Sequence, residues 1–315
     1  MRAVAVRKIG DRPELMELPV AHPGPGEILV KLTSASVNPI DLGIAAGLLP
    51  MPQVFPLVLG VDGAGRVVEV GEGVSGFSVG DVVHGQFLRA PLGHGTFAEY
   101  ALVTQAPDNG ALRLVPDGMP DEIAAALPTA GMTALGALDA IGLRAGQSML
   151  IVGATGGVGV FAVQLAAARG VEVIATARPE ADGWIRGRGA AHTVDHTAGE
   201  VAEQVRKTHP GGVDAVLDMT RDPDGFAKNA GLVRDGGVAV SPALIATPQL
   251  LASERISVIN FMMRDKPNLL AGITAEAAAG RITVPIQRTV ALDEVPAVLA
   301  HSSAGGARGK TTVRI

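Results

Sequence analysis

The stretch SMLIVGATGGVGVFAVQLAAARGVEVIATARPE, Ser148 to Glu180, decides how the chain is read. An apolar run, MLIV, meets a glycine cluster, an Ala-rich helical segment follows, and a second apolar run, VEVIATA, closes the unit. Gly153, Gly156, Gly157 and Gly159 stand between strand and helix. There they permit a tight turn and let backbone N–H groups approach a pyrophosphate at the positive end of a helix. The spacing is not a clean G-x-G-x-x-G, and an ordinary strand-to-helix turn is the plainer alternative. The strand before, the helix after and the second strand favour a dinucleotide site over that alternative.

Outward from this unit the chain alternates. Strand-like runs recur at HTVDH, VDAVLDM, GGVAVSP and RISVINFMM, with helix-like segments GEVAEQVRKTH, DGFAKNAGLV and PNLLAGITAEAAAG between them. Such alternation predicts an α/β fold with a doubly wound parallel sheet. Upstream, residues 1–118 are dense in Gly and Pro with short β-branched runs, which predicts a compact β-rich domain. Beyond Arg281 the texture returns to short strands, so the tail is expected to rejoin that first domain. The expected partition is 1–118 with 285–315, and 119–284. Pro128 inside DEIAAALPTAGMTALGALDAIG should divide that segment into two helices.

Composition narrows the function. The 315 residues carry a net charge of −5, which argues against nucleic acid as partner. With no cysteine, disulfides, thiolate metal sites and a cysteine nucleophile are excluded. No apolar run approaches the length of about 18 residues that a membrane span needs, and the first residues lack a secretory h-region. A cytoplasmic protein without membrane partners is the expectation.

The end of the second strand bears on the choice of dinucleotide. An acidic residue there would hold a ribose 2′-OH, but Ala177 is followed by Arg178. A guanidinium suits a 2′-phosphate by charge and by its fork of donors, so NADPH is expected. Arg186 and Arg188 follow near the same corner, where a solvated surface role is equally open.

Taken together, SVNPIDLGIAAG, FPLVLGVDGAGRVVEVGEGV, GDVVHG, GTFAEY, LPTAGMTAL, VGATGGVGVFAVQLAAARG, GAAHTVDH and the final RGK resemble the medium-chain dehydrogenase/reductases, in their zinc-independent quinone oxidoreductase branch. The resemblance implies a GroES-like β-rich domain beside a Rossmann domain, with the substrate in the cleft between. Zinc members of the superfamily place a Cys where Asn38 stands and a His-Glu pair where Val61 and Asp62 stand, so no metal is expected.

The resemblance also assigns cofactor contacts to Thr133, to the loop Gly153, Ala154, Thr155, Gly156, Gly157 and Val158, and to Lys310 near the phosphates. It places His196 near the adenosine end, where a structural histidine is the alternative. Met219 and Thr220 stand at the end of the fourth strand, and Ser241, Ala243, Leu244, Phe261 and Met262 on loops at the nicotinamide. Ile44 and Leu48, with Phe261 and Met262, are expected to line an apolar substrate cleft. Asn38 and Asp41 are the polar candidates for catalysis, although Asn38 also suits a cap before Pro39.

The implied activity is hydride transfer from NADPH to a small hydrophobic quinone or enone. An enoyl or alkenal reductase of a biosynthetic pathway, or a dinucleotide-binding sensor or scaffold without turnover, are the alternatives. The run RISVINFMM, 255–263, reads as an unguarded sixth strand at a sheet edge, which predicts a homodimer. A monomer whose edge is covered by SPALIATPQLLASE is the other possibility.

Overall fold

A computed structural model describes residues 1–105, 110–301 and 306–315. Two sheet systems stand side by side. The first begins with Glu27–Ser36, whose alternating residues Ile28, Val30 and Leu32 are buried. It pairs with Asp62–Val70, then Val82–Gln86, then Ala111–Leu114. On its other side lie two strands from the far end of the chain, Lys310–Arg314 and Ile286–Ala291. Thr312 faces Ser36 across this antiparallel junction. A smaller four-stranded sheet, Glu14–Glu17, Arg2–Val6, Gln53–Val58 and Leu92–His94, packs alongside.

The second system is a six-stranded parallel sheet. Its order is His192–Val194, Glu172–Thr176, Ser148–Val152, Val213–Asp218, Val233–Ser241, Ser257–Asn260. This is the 3-2-1-4-5-6 order of a Rossmann sheet, reversing beside the first strand. Ser148–Val152 and Val213–Asp218 are buried along their whole length, as strands covered on both faces must be. The helix Gly157–Ala168 packs Val160, Phe161 and Val163 against one face, while Phe226 fills the other. The fold is thus α/β, a Rossmann sheet with a GroES-like β-rich unit.

Pro128 acts as expected, separating the helices Asp121–Ala126 and Pro128–Ile141. It occupies the first turn of the second helix, where its missing N–H leaves no bond unmade. The sixth strand is shorter than its apolar run implied: only Ser257–Asn260 pairs, and none of the four is fully buried. It does lie at the sheet edge.

Candidate active site

The glycine turn is shaped by contact. Gly153 has φ +78°, a conformation in which a side chain would be strained. A Cβ on Gly159 would sit 2.3 Å from the Gly153 carbonyl oxygen, so the helix can start this close to the strand only without one. Thr176 fixes the turn from the next strand, its Oγ1 accepting from Gly153 N at 2.9 Å. The amide end of the twelve-residue helix Gly157–Ala168 is directed at the mouth of the turn, a geometry that fits a pyrophosphate. The other domain meets the turn here: Gly309 N donates to Thr155 O at 2.9 Å, and the Lys310 stem runs against Gly157.

Past the glycine turn, Lys310 carries its ammonium into the first domain. Nζ donates to Asn38 Oδ1 at 2.6 Å and to Val37 O at 3.1 Å. The last strand lies beside the strand that ends at Ser36, and this carries the side chain into the first domain.

Around that ammonium is a buried polar cluster. Asn38 caps the helix Pro39–Ala45, its backbone N–H donating to Asp41 Oδ2 at 2.7 Å. Its side-chain amide donates to Asp62 Oδ2 at 2.9 Å and to Ser36 O at 3.1 Å. Asp62 accepts twice more, from Thr129 N at 2.9 Å and Thr129 Oγ1 at 2.6 Å. Thr129 in turn accepts from Gln86 Nε2, and Gln86 Oε1 accepts from Lys266 Nζ at 2.8 Å. One chain of hydrogen bonds therefore joins both domains. Burial pushes the Asp62 carboxyl up, while Lys310 and its donors pull it back. Burial likewise lowers Lys310, against the attraction of both carboxylates.

Asp41 stands apart within this cluster. Burial raises its carboxyl to about 8, with the Asp62 charge adding to the rise and the Asn38 N–H and Lys310 opposing it. Its Oδ1 is buried with no hydrogen-bond partner among the described residues, which suits the neutral acid. Between its ordinary value of 3.8 and about 8, the folded chain keeps a proton that the unfolded chain has released. Stability therefore falls as pH rises through that window and levels off above it. Asp41→Asn, which cannot ionise, should gain on the wild type in urea midpoint between pH 5 and pH 8. A midpoint difference constant across that range would show Asp41 ionised throughout.

Beyond the strand Glu172–Thr176, Arg178 is exposed, close enough to help hold the Asp195 carboxyl down. The other two arginines are engaged. Arg186 pairs with Asp182 and bonds Ala191 O and Thr193, and Arg188 lies 3.9 Å over the Trp184 ring. His196 is exposed beside Asp195. Thr133 bonds inward, to Thr129 O at 2.6 Å.

At the carboxyl end of the parallel sheet, Met219 lies against Gly153, and Thr220 bonds Asp218 by N–H and hydroxyl. Ser241 accepts from Ala243 N through its hydroxyl and from Phe261 N through its carbonyl. Leu244, at φ +59°, is half exposed.

The four residues expected to line an apolar cleft are not brought together. Leu48 is 76% exposed and Met262 69% exposed. The Phe261 ring packs on Gly136, and Ile44 belongs to a core with Leu57 and Val61. Sequence reading missed Thr129, Gln86 and Lys266. Only Thr129 carried a signal, one helical turn before Thr133 and on the same face.

The donor set does not fit zinc. The positions offer an amide and a valine, the carboxylate of Asp62 is saturated by three donors, and an ammonium lies 2.6 Å from the amide oxygen.

A Rossmann sheet with a glycine turn, docked on a β-rich unit bearing a buried polar cluster, defines a dinucleotide-dependent oxidoreductase architecture. Residues 24–113 match the alcohol dehydrogenase GroES-like domain, and residues 188–313 a model described as zinc-binding dehydrogenase. The mouse NAD(P)H oxidoreductase RTN4IP1, mitochondrial, is 30% identical over 95% of this chain and 84% of its own. A quinone oxidoreductase from Pseudomonas syringae superposes with TM-score 0.88 at 26% identity, over 100% of this chain and 99% of that one. An NAD-dependent alcohol dehydrogenase gives TM-score 0.88 at 28% identity, over 100% of both chains. The chain belongs to the medium-chain dehydrogenase/reductases, in the zinc-independent quinone oxidoreductase-like branch, whose fold binds NAD(P). The cytoplasmic expectation is withdrawn, because the mouse relative matching nearly the whole chain is named as mitochondrial. Among the described residues no helix is long and apolar enough to cross a membrane.

Proposed function

We propose that this protein is an NADPH-dependent reductase that passes hydride, without a metal, to a quinone or an α,β-unsaturated carbonyl. The observation that carries the reading is the occupation of the cluster at Asn38 by its own ammonium, amide and carboxylates. Such a centre offers no open Lewis-acid position, so the acceptor must already be electrophilic. A conjugated carbonyl meets that condition, and an unconjugated carbonyl, the oxidised partner of a simple alcohol, does not.

The cofactor, when bound, supplies the hydride. The chain's residues do the rest. The turn from Gly153 to Val158 holds the pyrophosphate and Arg178 the 2′-phosphate. The Ser241–Leu244 loop lies at the nicotinamide end, and Asn38 is held rigid between Asp62 and Lys310 beside the acceptor. In this reading residues 1–118 and 285–315 form the substrate-side domain and 119–284 the cofactor domain. NADPH oxidation with a panel of naphthoquinones and alkenals, beside NADP+ reduction with simple alcohols, tests it. Turnover is expected on the conjugated acceptors, and ethanol oxidation exceeding naphthoquinone reduction would sink the proposal.

A homodimer through the Ser257–Asn260 edge belongs to the same reading, since an unpaired edge strand is a template for a second copy. Light scattering at micromolar concentration should give twice the chain mass, and Val258→Pro should reduce it to the monomer. A monomer mass for the wild type rules the dimer out.

A further inference from the structure

The parallel sheet has a second end. The glycine turn and Met219 stand at the carboxyl ends of its strands, where a Rossmann crevice opens. At the opposite, amino ends of Val213–Asp218, Val233–Ser241 and Ser257–Asn260, three neighbours in the sheet, lies a cavity of about 570 Å³. The six residues of Val213–Asp218, at about 3.3 Å each, hold the two ends of the sheet roughly 17 Å apart. Three guanidinium groups line the cavity, each from a different element. Arg206 comes from the last turn of the helix Val201–Thr208, Arg234 from the strand Val233–Ser241, and Arg255 from the segment just before Ser257–Asn260.

The chain itself does not saturate these cations. Arg234 pairs with Asp214 through Nη2, and Asp214 is held in addition by Ser148 N and Gln147 Nε2, each at 2.8 Å. Arg255 engages Nη1 and Nη2 with Val233 O, Ala230 O and Asp235. Arg206 is exposed and makes no hydrogen bond or ion pair among the described residues. Asp235 is the carboxylate on the lining, and it is 87% exposed. Even with Asp214 counted, three guanidiniums face two carboxylates.

Like charges gathered round one hollow repel, and salt screens them only in part. A ligand carrying more than one negative charge on a compact group relieves that repulsion. A phosphate offers oxygens to several guanidinium forks at once, whereas a carboxylate fills one. The volume lies in the range of small-molecule sites. At Gly211, on the rim, a Cβ would meet nothing within 4 Å, so the entrance is open. We infer that this cavity binds a multiply charged phosphate group of a small molecule, as a site separate from the dinucleotide crevice.

Calorimetric titration of the full chain with inorganic pyrophosphate, alone and with saturating NADP+, tests the inference. Pyrophosphate can also enter the glycine turn, and NADP+ closes that route. One pyrophosphate per chain is expected to bind with NADP+ present. Arg206→Gln should weaken it about tenfold, the scale of one hydrogen bond to a charged group. Gly211→Asp, which sets a carboxylate on the rim without removing an arginine, should weaken it as well. Both variants should melt at the wild-type temperature without ligand, since neither position bears a contact of the fold. Heat that vanishes when NADP+ is added overturns the site. So does equal binding by the wild type and Arg206→Gln, a comparison that holds whichever dinucleotide the crevice prefers. No saturable binding by about 10 mM pyrophosphate, weaker than any specific site of this kind, overturns it too.

Discussion

Replacing Lys310 by methionine is expected to lower the free energy of unfolding by about 3 kcal/mol, the scale of losing hydrogen bonds made by a buried charged donor. Lys310 is 3% exposed and lies within a cluster containing Asp41 and Asp62, both fully buried. Methionine has nearly the same length, so the loss reads charge and hydrogen bonding rather than volume. Without the ammonium, Asn38 Oδ1 and Val37 O lose their donor, and Asp62 loses the cation that favours its ionised form. The double variant Lys310→Met with Asp62→Asn should recover part of the loss, because it leaves no uncompensated charge. Urea unfolding with a common m-value measures both. A loss under about 1 kcal/mol in the single variant would mean that Lys310 is not a charged donor to this cluster.

Arg178→Ala is expected to weaken NADPH binding tenfold to a hundredfold, about 1.5–3 kcal/mol for a hydrogen bond to a charged group. NADH, which has no 2′-phosphate, should bind the variant and the wild type alike. The expectation is sharpened by the engagement of Arg186 with Asp182 and Thr193 and of Arg188 with Trp184. Arg178, just past the strand end, is exposed. Glu180, two residues on, is held by Arg308 at 3.6 Å and so does not stand as an isolated anion at this corner. Calorimetric titration with both cofactors decides the matter, and an equal loss for both would remove Arg178 from the 2′-phosphate site.

Local order was legible in the sequence because it depends on local physics. The glycines at 153 and 159 announced a turn that only residues without Cβ can make, and the structure shows the backbone contact that forbids one. The alternation of strand and helix fixed a parallel sheet, since successive parallel strands need a crossover. Pro128 marked the break between two helices for the covalent reason that it has no N–H. Asn38 and Asp41 could be singled out because polar residues around a proline are either a cap or a site, and Asn38 is a cap.

Direction and partnership were decided by the tertiary fold alone. Lys310 stands 272 residues from Asn38, and no local pattern tells which end of the cleft its ammonium enters. That was set by the pairing of the last strand with the strand ending at Ser36. Leu48 and Met262 look like pocket walls in an apolar stretch of sequence, but apolar character does not say which way a loop faces, and both face solvent. Arg89 and Glu27 read as two separate surface charges 62 residues apart. Only the closure of the strands around them brings the pair together and shields it from water. A buried charge is defined by what surrounds it in space, and sequence separation carries no record of that.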